Sequence, residues 1–357
     1  MLDTGTGATG RRSAAAPLPV ARRDALWAAP AALAAALVFL LVRGSLIDDA
    51  YITLSYARNL AEHLHWGLTP FRTANSATSP LNVLVLGAAA FVVRDPVWGL
   101  GLVFVLVTAA QAAGLSRLAR RLRLGPVTVV LGVLLVLLSP LMLSIVGMEM
   151  ALAVALTVWL TVAAVEARPV AFGLLTAALT LTRLDLLVFP IVLLVAVGGI
   201  RRRSGRVVLT ALAGVAPWFL FSWFALGALV PDTLVIKTVA SGGWGPWHFA
   251  NGPALYLQHY RAATLVSAAP AVAGALLLLA WLASRAWRSP RWAGLGPVAA
   301  VGVGGLLHYA AYSVLAPPPF HWYYAPSVTS LTLVVAVAAG AWRREASAWS
   351  MAAVASA

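Results

Sequence analysis

Ile47-Asp48-Asp49-Ala50-Tyr51-Ile52-Thr53-Leu54-Ser55-Tyr56-Ala57-Arg58-Asn59-Leu60 follows directly on the first long apolar run of the chain. Two adjacent carboxylates at the mouth of a membrane helix are costly to hold there unless something uses them. From Asp49 onward the residues sort onto a helical wheel, with Leu54, Ala57, Ala61 and Leu64 on one arc and Ser55, Arg58, Asn59 and Glu62 on the other. That pattern predicts a helix lying in the membrane interface, not crossing it.

The remainder of the chain supplies the membrane part. Hydrophobic residues make up 61% of the sequence and charged ones 10%, with a mean hydropathy of +0.89. These values belong to polytopic membrane proteins and leave no soluble domain of useful size. Cysteine is absent, which excludes disulfides, thiolate metal sites and thiol nucleophiles. The net charge of +14 does not indicate nucleic acid, because the arginines fall in short clusters between apolar runs, as in cytoplasmic loops. The implied partner is the lipid bilayer.

Residues 1–25 lack a core-forming pattern and read as a disordered cytoplasmic tail. The run from Leu26 to Val42 is expected to be a retained first span, with Arg11, Arg12, Arg22 and Arg23 keeping the N-terminus inside. Leu81 to Val93 reaches only about 20 Å, against a hydrocarbon core of about 30 Å, so it is predicted to stay in the outer leaflet. Ten spans are then expected, at 26–43, 97–116, 126–146, 150–165, 169–182, 186–200, 207–229, 264–284, 294–315 and 323–341. This arrangement puts 18 of the 25 basic residues inside and both termini in the cytoplasm. The fold class is all-α polytopic membrane protein, with a transmembrane domain over 26–344, outer loops over 44–96 and 229–262, and a cytoplasmic tail over 345–357. Asp48, Asp49, Glu62, Asp95, Glu149, Asp185 and Asp232 all fall on the outer side, as do His63, His65, His248, His259 and His321, with His308 in the outer half of its span.

Helix capping accounts for one carboxylate of Asp48-Asp49 but says little about two. Glu149 stands at the start of a span, and Arg183 and Asp185 flank a hairpin turn, where an exposed pair would add only about 0–1 kcal/mol. Lys237 is the one lysine among the 25 basic residues. A compact ammonium just after Pro231-Asp232-Thr233 suggests a place where a guanidinium fork would not fit. Trp244, Trp247 and Trp322 read as interfacial anchors ahead of a sugar platform.

Asp48 to Glu62 after a first span resembles the acidic motif in the first outer loop of GT-C glycosyltransferases, most like the actinobacterial terminal arabinofuranosyltransferase branch. Thr78-Ser79-Pro80-Leu81, Gly147-Met148-Glu149, Thr182-Arg183-Leu184-Asp185, and Pro231-Asp232-Thr233 with Lys237 follow in the same order. The resemblance covers roughly residues 45–240. It implies a plasma-membrane enzyme that moves a sugar, with inversion, from a polyprenyl-phosphate donor to a cell-envelope glycan on the outer face. Asp48 aligns with the first acid of the motif and is expected to be the general base, with Asp49 orienting it or the acceptor. Arg58, Arg72, Arg183 and Lys237 are the expected donor-phosphate cations, and Glu149, Asp185 and Asp232 the expected sugar or acceptor contacts. No cofactor is implied, and a role for a divalent cation is not legible. A non-catalytic accessory relative or a polyprenyl-phosphate transporter are the alternatives.

Overall fold

The computed structural model describes residues 20–233, 244–286 and 294–355, and the side chains of 26–233, 244–284 and 294–342. Among the described residues the protein is helical with no strand, and only the isolated bridges Thr69–Arg72 and Val146–Met148 pair backbone in β fashion. The helices are α1 Val20–Val42, α2 Asp48–His63, α3 Pro80–Val93, α4 Pro96–Arg121, α5 Val127–Leu137, α6 Pro140–Ser144, α7 Met150–Val165 and α8 Pro169–Thr182. They continue with α9 Val188–Ala196, α10 Gly198–Arg201, α11 Ser204–Leu226, α12 Gly252–His259, α13 Arg261–Ala286, α14 Gly296–Leu315 and α15 Ala325–Ala355. Among the described residues five stretches are long and apolar enough to cross a membrane: Pro96–Arg121, Ser204–Leu226, Arg261–Ser284, Gly296–Leu315 and His321–Trp342. Leu26–Val42, Val127–Leu137, Met150–Val165, Pro169–Thr182 and Leu184–Ala196 are apolar but shorter.

Lipid gives helices no hydrophobic reason to associate, so close backbone approach decides which ones pair. Gly274 of α13 shows this: a Cβ there would clash with the Leu331 carbonyl oxygen of α15. At the Asp48 end, α3 packs on two neighbours. Its Gly87 faces Ala57 and Leu60 of α2, and its Ala89 and Ala90 face Gly99 at the start of α4. α3 therefore stays beside α2, and Asp95 caps α4 by accepting the Trp98 N–H at 2.8 Å.

Several boundaries differ from expectation. The run 126–146 is broken, because Pro140 opens a separate five-residue α6 after Ser139 and lacks the N–H that a continuing helix would need. The chain then turns through Gly147 into α7. The stretch expected to start a span at 186 begins with a 3₁₀ turn, Leu184–Leu187, ahead of α9. Helix α1 starts at Val20, inside the expected tail, and α15 continues to Ala355, past the expected boundary at Arg344.

The expected helix is present as α2, but its buried face is rotated from the wheel. Leu54, Tyr56, Ala57 and Asn59 are buried, whereas Leu64 is 86% exposed. Leu64 takes a left-handed C-cap conformation (φ 50°) that ends the helix and turns its side chain outward. Asn59 is buried because its Nδ2 donates to the Gly67 carbonyl at 2.8 Å, tying the following loop back under the helix.

Candidate functional site

The site is built from four segments far apart in sequence. The first is the start of α2, where Asp48 Oδ1 accepts the Asp49 N–H at 3.0 Å. Asp48 is exposed, Asp49 half-buried and Ala50 fully buried. Ala50 is seated on the second segment, the turn before α7. Gly147 there has φ +103°, and a Cβ on it would stand 2.7 Å from the Ala50 Cβ. Glycine is thus required twice over, by the backbone angle and by the close approach. The same turn ends in Glu149, whose side chain makes no helix cap.

Glu149 instead turns to the third segment, the hairpin between α8 and α9. Arg183 is extended (φ −162°, ψ 135°) where α8 stops, which aims its guanidinium back into the bundle. Nη1 donates to Glu149 Oε1 at 3.0 Å, while Nε and Nη2 clasp Asp185 Oδ1 and Oδ2 at 2.9 and 2.8 Å. Nη2 also donates to the Tyr312 hydroxyl at 3.0 Å, and that hydroxyl donates to Asp185 Oδ2 at 2.7 Å. His308 Nε2 meets the same Oδ2 at 2.9 Å, and its Nδ1 meets Ser327 Oγ at 3.2 Å. His308 and Tyr312 are one helical turn apart on α14, and their rings stack at 4.5 Å.

The fourth segment is the aromatic wall from Phe320 to Tyr324. The Arg183 guanidinium carbon lies 5.4 Å from the Tyr323 ring centroid. Behind it, Phe320 stacks on Trp322 at 4.5 Å, and Phe249 is buried against Tyr324 at 4.3 Å. The Phe249 N–H is held by the Pro317 carbonyl at 2.9 Å. Trp322 is buried in this wall, and Trp244, still exposed, rests edge-on against Phe320. Tyr256, on α12 above the wall, has its phenol pushed up to about 12 by burial.

In charge terms, one guanidinium faces two carboxylates. Four of its five N–H donors are committed to Glu149, Asp185 and Tyr312. Arg183 is thus occupied in holding acids, which differs from the expected grip on a phosphate. Glu149, Arg183 and Asp185 are brought together, and Asp49 immediately precedes Ala50, which packs on the Gly147 turn leading to Glu149. Arg58 is not brought in: it is 62% exposed and pairs with Glu62 at 3.0 Å, about 15 Å along α2 from Asp48. Arg72 is exposed on the loop between α2 and α3. Asp232 is exposed, and its backbone N–H donates to the Asn75 carbonyl at 2.8 Å, joining the segment after α11 to the loop between α2 and α3. Lys237 lies outside the described residues. Among the described residues, no group of three or more His, Asp or Glu side chains could hold a metal ion.

Tyr312 and the Asp185 partnership of His308 are not legible in the sequence as site features, whereas the stretch from Pro317 to Tyr324 reads there as a second wall. One signal was available, since His308 is an ionisable residue within an apolar span and such residues usually have a partner there. Comparison of the chain with family models, with characterised proteins and with solved structures finds no match.

Proposed function

We propose that this chain is a membrane glycosyltransferase of GT-C type with about ten transmembrane helices. It moves a sugar, arabinofuranose by the resemblance, from a polyprenyl-phosphate donor to a cell-envelope glycan on the outer face of the plasma membrane. One observation carries the proposal: the Asp48-Asp49 turn is seated on the Gly147 turn, beside the buried Glu149–Arg183–Asp185 network. Acids held this firmly at one end of a bundle suit a reaction that needs a base in a fixed position.

Asp48, exposed at the helix start, is the base. The acceptor oxygen bonds to the anomeric carbon, its proton passes to Asp48, and the bond to the lipid phosphate breaks with inversion. Asp49, half-buried next to Asp48, orients the turn. Arg183 is a positioning residue that fixes Glu149 and Asp185, and partly exposed Asp185 is assigned a sugar hydroxyl. Arg58 and Arg72 remain the assigned phosphate cations, and the assignment of Lys237 rests on the sequence alone. A transporter of polyprenyl phosphate is the second reading, favoured by a buried ionisable network that includes a histidine within a span.

The test is turnover of a synthetic polyprenyl-phosphate arabinofuranose by the purified chain, with an oligoarabinoside acceptor. An inverted glycosidic product supports the proposal. Passage of lipid phosphate across proteoliposomes with no bond formed from any sugar donor would contradict it.

A further inference from the structure

The opposite end of the bundle carries a second organised charge cluster. Glu166 follows α7 directly and is 6% exposed. Arg117 donates through Nε and Nη2 to both its oxygens at 2.8 Å, and Arg121 Nε donates to Oε1 at 2.7 Å. Arg168 Nε stands 3.5 Å from Oε2. Hydrogen bonding from Arg117, aided by Arg121 and opposed by burial, holds the Glu166 carboxyl below its usual range. Arg203, also exposed, donates to the Ala167 carbonyl at 3.0 Å, adding a fourth cation to the same turn.

One carboxylate cannot balance these guanidinium groups. Arg117, Arg121 and Arg168 around Glu166 leave two positive charges in excess, before Arg203 is counted. Arg117 is mostly covered, but Arg121 and Arg168 are 57% and 60% exposed, so the excess is presented outward. Beside it lies an apolar surface: Val170 and Leu174 on α8, and Leu209 and Leu212 on α11, are all exposed. A cationic cluster at the edge of an exposed apolar face matches a ligand with an anionic head and a hydrocarbon tail.

We propose that Arg121, Arg168 and Arg203, arranged around Glu166, hold the phosphodiester headgroup of an anionic phospholipid. Glu166 sets the spacing of the guanidinium groups, and the lipid supplies the missing negative charge. The ligand chemistry is a phosphate ester, and the apolar flank assigns it to a lipid rather than to a soluble phosphate.

The test uses the full chain in detergent, titrated separately with short-chain phosphatidylglycerol, with phosphatidylcholine of the same chain length, and with inorganic phosphate. Adducts are read by native mass spectrometry and stabilisation by thermal shift. Phosphatidylglycerol is expected to be retained and to stabilise the protein, and the other two are not. Arg121→Gln combined with Arg168→Gln should weaken phosphatidylglycerol binding about thirtyfold, from roughly fivefold for each cation at a bilayer surface. Arg117 still holds Glu166 in that variant. Should the variant fold poorly, salt on the wild-type protein decides: phosphatidylglycerol retention should fall with ionic strength. Equal retention of the two lipids, inorganic phosphate binding as tightly as phosphatidylglycerol, or a salt-independent adduct would each overturn the assignment.

Discussion

Arg183 is the side chain on which the buried network depends, because it is the cation between Glu149 and Asp185. Removing one partner of a buried ion pair typically costs about 3–5 kcal/mol, since the acids left behind have lost their compensation. Arg183→Met is therefore expected to lower thermal stability in detergent sharply. Arg183→Lys should be intermediate, because an ammonium keeps the charge but cannot clasp both Asp185 oxygens. A methionine variant as stable as wild type would show that the network holds nothing together. At Gly147 the effect is geometric: Gly147→Ala meets both the positive φ and the Ala50 contact, so the Asp48-Asp49 turn must move. A displacement of about 1 Å can cost roughly a hundredfold in rate, so transfer should fall much further than stability, and unchanged transfer would detach this turn from the site. At the other end, Glu166 makes a pH prediction. Its folded pKa lies below the ordinary 4.5, so its contribution is complete above that value and is lost as pH falls through the lower folded value. Melting curves taken downward from about pH 4.5 should fall more steeply for wild type than for Glu166→Gln, and parallel curves would remove Glu166 as the cause.

Among the elements, α3 makes the most specific claim. Its Gly87 packs on Ala57 and Leu60 of α2, and its Ala89 and Ala90 pack on Gly99 of α4, so it is expected to lie beside α2 without crossing. In this cysteine-free chain, an impermeant thiol reagent applied to intact cells should reach Arg94→Cys and not Arg121→Cys. Labelling of Arg121→Cys and not Arg94→Cys would mean that α3 crosses. The short apolar run is the sequence basis for expecting that α3 does not cross, and the alternation of polar and apolar residues in α2 indicates an amphipathic helix. The face of α2 was less legible, because a wheel assumes that the helix continues while Leu64 ends it and Asn59 is drawn inward by the Gly67 carbonyl. Glu149, Arg183 and Asp185 could each be singled out as an ionisable group near lipid. Their mutual pairing could not, since it depends on how α8 stops and where the Gly147 turn directs Glu149. Tyr312 and Tyr323 look like ordinary interfacial aromatics until packing sets them against Arg183.

Over the whole molecule, acid and base chemistry is divided between two ends. The Asp48 end gathers Asp49, Glu149, Asp185 and His308 around a single buried arginine, while the Glu166 end gathers arginines around a single buried acid. The same helices carry both arrangements: α7 runs from Glu149 to Glu166, and α8 from Arg168 to Arg183. The first arrangement suits proton transfer and the second suits an anionic lipid surface. The central claim is that Asp48 accepts a proton while a lipid phosphate leaves. The direct measurement is the rate at which free polyprenyl phosphate is released from a labelled polyprenyl-phosphate sugar by wild type, Asp48→Asn and Asp49→Asn, with donor retention recorded for each. Asp48→Asn should bind donor as wild type does and release it about 10²–10⁴ times more slowly, with a smaller loss for Asp49→Asn; release by Asp48→Asn at the wild-type rate would contradict the account.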